Sequence, residues 1–131
     1  MIHSGIRLSA VFMTAITMIM SLCVQTRPVF AHAIVIESYP ADGETLQKPP
    51  TQIVLRFDAK IVHSLAVYDL KSGDGKKIVM PAPQDKRAMA PSPELLVIPV
   101  PRLKPGIYVL RYKVLATDGH ATLGILHFSI K

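Results

Sequence analysis

The chain has 131 residues, with 15 Lys plus Arg against 9 Asp plus Glu, one Cys, no Trp and eleven Pro. That length holds one domain at most. The basic residues are interleaved with acids rather than blocked, which argues against a nucleic-acid-binding arm, and a single Cys rules out an internal disulfide framework.

Residues 8–24, LSAVFMTAITMIMSLCV, carry no charge; Arg7 precedes them and a polar, Pro-containing stretch follows at residues 25–28. This pattern is that of a secretory signal peptide. Val29-Phe30-Ala31 supplies a V-x-A cleavage signal, and cutting after Ala31 leaves His32 as the new N-terminus. A rival A-x-A signal, Ala31-His32-Ala33, would place the cut after Ala33 and remove His32. An uncleaved anchor is the alternative, since the apolar run approaches the roughly 20 residues that span a bilayer. Leu22 stands directly ahead of Cys23 where a lipidation signal has a small residue, so Cys23 is read as a passenger. The expected organisation is a leader, 1–31, and one mature domain, 32–131, which is exported and has no further membrane insertion. Without the leader's Arg7 and Arg27 the mature chain has 13 basic residues against 9 acidic, a net charge of +4, and no Cys. Its stability must come from its own core.

Along the mature chain, short β-type runs alternate with turn chemistry. Residues 33–37 (AIVIE) end at Tyr39-Pro40 and the Ala41-Asp42-Gly43 turn, and residues 52–57 (QIVLRF) follow the Pro49-Pro50 break. Residues 64–70 (SLAVYDL) lead into Ser72-Gly73-Asp74-Gly75, and 77–80 form a fourth short run. Residues 81–93 carry four prolines without apolar periodicity and are read as a loop. Runs at 95–100, 107–115 and 122–130 complete the set. Seven short strands with turn signals about every ten residues predict an all-β, seven-stranded antiparallel sandwich with little helix. Phe57, Tyr108, Tyr112 and Phe128 fall at alternate strand positions and are assigned to the core or its margin. His127 alternates with Leu126 and Phe128 and should face solvent.

Four histidines, His32, His63, His120 and His127, remain after the leader is removed. His120 belongs to Thr117-Asp118-Gly119-His120, between the last two long strands, where Gly permits a tight bend that aims an Asp and a His at one point. Alone, this D-x-H is weak, because Asp-Gly is an ordinary turn signal. Its coincidence with an N-terminal His gives it meaning. A free α-amine and the imidazole Nδ1 of His32 close a six-membered chelate ring on a metal, and His120 and Asp118 complete a three-nitrogen, one-oxygen set. Such a set suits tetragonal Cu(II), with tetrahedral Zn(II) second.

With His32-Ala33 at the mature start, further motifs fall in order: Ser38-x-Pro40-Ala41-Asp42-Gly43, Pro49-Pro50-x-x-Ile53-x-Leu55-x-Phe57, Leu103-x-Pro105-Gly106-x-Tyr108-x-Leu110-x-Tyr112, Asp118-Gly119-His120 and Gly124-x-x-x-Phe128-x-Ile130. Together they resemble the CopC family of periplasmic copper-binding proteins across essentially all of 32–131. The resemblance implies an immunoglobulin-like Greek-key β-sandwich in the periplasm. It also implies Cu(II) bound by the amine and imidazole of His32, by Asp118 and by His120. Some members have an acidic residue near the site where this chain has Asp58; it is one carbon shorter than the expected Glu, and no part in the site is assigned to it. The family's Met-rich Cu(I) segment has no counterpart here, since the loop offers only Met80 and Met89. These two are read as a packed strand residue and a loop residue.

Three functions follow from these residues. The first is a non-catalytic copper carrier or buffer exchanging the ion with an inner-membrane transporter. The second is an oxidative enzyme with a histidine brace, opposed by Asp118, which would fill the position dioxygen needs, and by the scarcity of aromatics. The third is an adhesion module whose histidines bind nothing.

Overall fold

A computed structural model describes residues 33–81 and 92–131. The segment read as a leader, His32 and Met89 lie outside the described residues. Seven strands form two sheets. The three-stranded sheet has the order β1 (Val35–Tyr39), β3 (Gln52–Phe57), β5 (Leu95–Pro99). The four-stranded sheet has the order β2 (Glu44–Leu46), β7 (Ala121–Ile130), β6 (Gly106–Leu115), β4 (Val67–Ser72). Every connection but the last passes from one sheet to the other, and only β6 and β7 follow each other within a sheet. The β-sandwich expected from the strand pattern is present.

Alternation decides which side chains fill the space between the sheets. On β6, Tyr108, Leu110 and Val114 are buried while Ile107, Arg111 and Lys113 are exposed; on β7, Leu126, Phe128 and Ile130 are buried and His127 is exposed. Opposite them lie Ile53, Leu55 and Phe57 of β3 and Leu96 and Ile98 of β5. Each of these apolar side chains contributes about 1.5–3 kcal/mol on burial, a needed sum in a domain without disulfides. Tyr108 and Phe128 are cross-strand partners whose rings stack at 5.4 Å, and Phe57 meets Tyr112 edge to face at 6.1 Å. The Tyr108 hydroxyl donates to the Lys104 carbonyl at 2.7 Å, which satisfies the polar end of an otherwise buried ring.

The structure corrects the sequence reading in three places. Residues 77–80 are not a strand: Lys77 makes a single bridge to Lys71, and Ile78 and Met80 pack against the core as loop residues. A strand invisible to the pattern, β2, takes the seventh place and runs parallel to β7 (Glu44 to Phe128, Leu46 to Ile130), so the sandwich is not wholly antiparallel. Three residues are too few to display a period, and only buried Leu46 marks them. Finally, the run expected at 64–70 is split by a 3-10 turn, His63–Leu65, before β4 begins at Val67.

Candidate metal centre

The β6–β7 connection, residues 116–120, is shaped by its own polar groups. The Gly119 N–H donates to the Ala116 carbonyl (3.0 Å), and the Ala116 N–H donates to the His120 carbonyl (2.8 Å). Asp118 Oδ1 accepts the His120 backbone N–H at 2.9 Å, an Asx-type bond that fixes the carboxylate over the bend. Gly119 sits at φ +93°, a left-handed conformation that favours glycine. As a result Asp118 Oδ2 lies 3.3 Å from His120 Nδ1, with each side chain about one-third exposed (38% for His120, 34% for Asp118). The two expected ligands of this turn are therefore brought together.

The segment after β3 links this turn to the start of the described chain. On one side the Ile34 N–H donates to Asp58 Oδ1 (2.7 Å), and the Asp58 N–H donates to the Ile34 carbonyl (3.0 Å). On the other, the Thr117 N–H donates to the Lys60 carbonyl (3.0 Å), Ile61 bridges Ala116, and the Val62 N–H donates to the Leu115 carbonyl (2.8 Å). Ala33, which follows His32 in sequence, is fully buried in the core. Five residues thus hold the strand behind His32 and the Asp118-Gly119-His120 turn at one end of the sandwich. Asp58, to which the sequence pattern assigns no part, holds the Ile34 N–H by its carboxylate. Its shorter side chain suits the short reach to a main-chain N–H, a contact that no side-chain pattern announces.

The remaining histidines serve elsewhere. His63 is buried, with Nε2 2.6 Å from the Leu95 carbonyl, so its ring is used in packing. His127 is exposed as expected, and Asp42 Oδ1 accepts its backbone N–H at 2.8 Å and lies 3.5 Å from its Nδ1. The His127 N–H holds the Asp42 carboxyl below the usual Asp range. Burial pushes the hydroxyls of Tyr68 and Tyr112 up. Among the described residues no three His, Cys, Asp or Glu side chains converge. No described helix is long and apolar enough to cross a membrane.

A CopC domain family model matches residues 35–131. Copper resistance protein C of Xanthomonas campestris pv. juglandis is 33% identical over 105 residues, which are 78% of this chain and 82% of that protein. Two crystal structures share the fold. CopC from Methylosinus trichosporium OB3b has a TM-score of 0.65 at 24% identity and covers 76% of this chain and 94% of its own. PcoC from Escherichia coli, a methionine-rich copper resistance protein, has a TM-score of 0.62 at 21% identity over 77% and 100%.

Proposed function

This chain belongs to the CopC family, and from that premise we propose that it is a periplasmic Cu(II) carrier whose one metal site joins His32 to the Asp118-Gly119-His120 turn. Residues 1–31 act as a leader, and cutting after Ala31 frees the amine that, with the His32 imidazole, supplies two of the nitrogens. His120 supplies the third and Asp118 the oxygen. The observation that carries this reading is the 3.3 Å approach of Asp118 Oδ2 to His120 Nδ1 in a turn tied through residues 58–62 to Ile34.

Copper is cargo in this reading, not a catalyst. The chain's task is to present a preformed edge to the ion, and a carboxylate on that edge offsets one of its charges. Asp118 also fills a position that dioxygen activation would need open, so no oxidative turnover is assigned. Amine and imidazole donors must give up protons to hold the ion, so affinity falls as pH drops. The receiving partner is an inner-membrane copper transporter.

N-terminal sequencing of the exported protein, combined with Cu(II) titration followed by electron paramagnetic resonance, tests the reading. The expected result is a product starting at His32 that binds one equivalent with a tetragonal, nitrogen-coupled signal. A product starting at another residue, or one starting at His32 without that signal, would overturn it. Steady peroxide-driven oxidation of polysaccharide by the loaded protein would instead favour the enzyme.

A further inference from the structure

The outer face of the four-stranded sheet has no role in holding copper. Its register sets out rows across three strands: Val67, Lys113 and Leu123; then Asp69, Arg111 and Ile125; then Lys71, Val109 and His127. The first row lies nearest the 116–120 turn. Val67, Leu123 and Ile125 are 63%, 74% and 54% exposed, a large outlay of aliphatic surface for one sheet face. Between them stand Lys113 and Arg111, both exposed. Asp69 is the one carboxylate in these rows, and it is already engaged by Lys77 at 3.2 Å and Lys71 at 3.9 Å. The two rows nearest the turn are therefore apolar and cationic, with their one acid neutralised; the exposed Asp42 carboxylate lies beyond them, against His127.

We propose that this face docks a protein surface that is itself aliphatic and acidic, seating the partner next to Asp118 and His120. Charge complementarity selects this occupant. A second copy would bring two net-cationic faces of the same sign together, which is unfavourable. An anionic bilayer matches the cations, but the rows lie on strands without an aromatic and with a carboxylate in the middle, unlike interfacial membrane anchors. Exposed aliphatics flanked by Lys and Arg give such a contact both its apolar area and its steering field. The proposal deepens the carrier reading by placing the recipient, yet the face and its test are independent of the metal.

The test places a photo-crosslinking phenylalanine at Leu123 in the full chain expressed in its own host, with Ile36 on the other sheet as control. Adducts are identified by mass spectrometry, and the captured protein is then purified and titrated with the carrier. The expected result is a heteromeric adduct from position 123 but not 36, formed through an acidic segment. Its yield and affinity should fall at least about tenfold in the double variant Arg111→Glu, Lys113→Glu, and should weaken with salt. An adduct indifferent to charge reversal, an adduct only with a second copy, or none at all overturns the proposal. So does binding confined to phosphatidylcholine–phosphatidylglycerol vesicles in a sedimentation assay. The double variant should keep its melting temperature and Cu(II) affinity, and His120→Ala should still crosslink, so failure of docking and failure of the copper site are read separately.

Discussion

Asp118 with His120, and Asp42 with His127, are built alike. In each the carboxylate accepts the histidine's own backbone N–H, at 2.9 and 2.8 Å, and lies 3.3 and 3.5 Å from its Nδ1. Each pair also sits beside a glycine of positive φ, Gly119 at +93° and Gly43 at +78°. They differ in setting. The 118–120 pair is contained in one bend, is about one-third exposed, and is tied by residues 58–62 to the strand that starts at Val35. The other joins two distant parts of the chain, is exposed to 56% and 67%, and stands roughly 20 Å along β7. Equal donor chemistry at two places therefore separates what a pair of ligands provides from what its surroundings add. In our reading only the first pair is a copper site, because only it has the N-terminal segment for a neighbour.

The strongest way to break that distinction is to remove one histidine at a time. His120→Ala should weaken Cu(II) binding by more than about a hundredfold, beyond what loss of a supporting contact gives. His127→Ala should change it by about twofold or less. Competitive titration against a chelator measures both, and a comparable loss in the two variants would show that the surroundings do not select the site. Next in size is the tether. Asp58→Ala leaves the Ile34 N–H without its carboxylate, and we expect copper affinity to fall about tenfold while stability falls by about 1 kcal/mol. Asp58→Asn keeps an acceptor oxygen and should recover most of the affinity. Equal loss in Ala and Asn variants would point to the charge of Asp58 rather than its bond to Ile34.

The contrast also explains what could be seen in the sequence. The long strands were legible because β6 and β7 alternate over ten residues each, and Asp118-Gly119-His120 was legible because its donors are two residues apart. β2 was not, since its three residues show no period and its partner lies about 84 residues away, as in the Thr45 to Ser129 hydroxyl contact. The run at 77–80 misled because Ile78 and Met80 are apolar for packing against the core, while Lys77 and Ile78 make only a brief backbone contact with β4. The part played by Asp58 rests on a side-chain to main-chain bond across 24 residues, which no local spacing encodes. The same holds for Asp42 and His127, 85 residues apart.

A gentler probe strains the two turns equally. A Cβ at Gly119 or at Gly43 meets no heavy atom within 4 Å, so Ala at either position bears only the left-handed backbone conformation, about 1–2 kcal/mol. Thermal denaturation should therefore report similar losses for Gly119→Ala and Gly43→Ala. Copper affinity should drop only in the first, where relaxation of the bend moves Asp118 relative to His120. A drop in both would mean that the ion senses global stability rather than local geometry.

The smallest expected effect concerns acid. The backbone N–H of His127 is the main reason the Asp42 carboxyl titrates below its ordinary value, with the nearby ring a lesser one. Because the folded value lies below the unfolded one, the ionised carboxylate stabilises the fold fully above about pH 4. That contribution is lost as pH falls through the folded value. Asp42→Asn retains an acceptor for the His127 N–H but has no charge to titrate. Wild type should therefore melt slightly higher than the variant at pH 6, and the gap should close in strong acid, while copper affinity at pH 7 stays the same in both. Exposure of Asp42 keeps the difference small. A gap that widened toward low pH would reverse the assigned sign, and a change in copper affinity would erase the distinction between the two pairs.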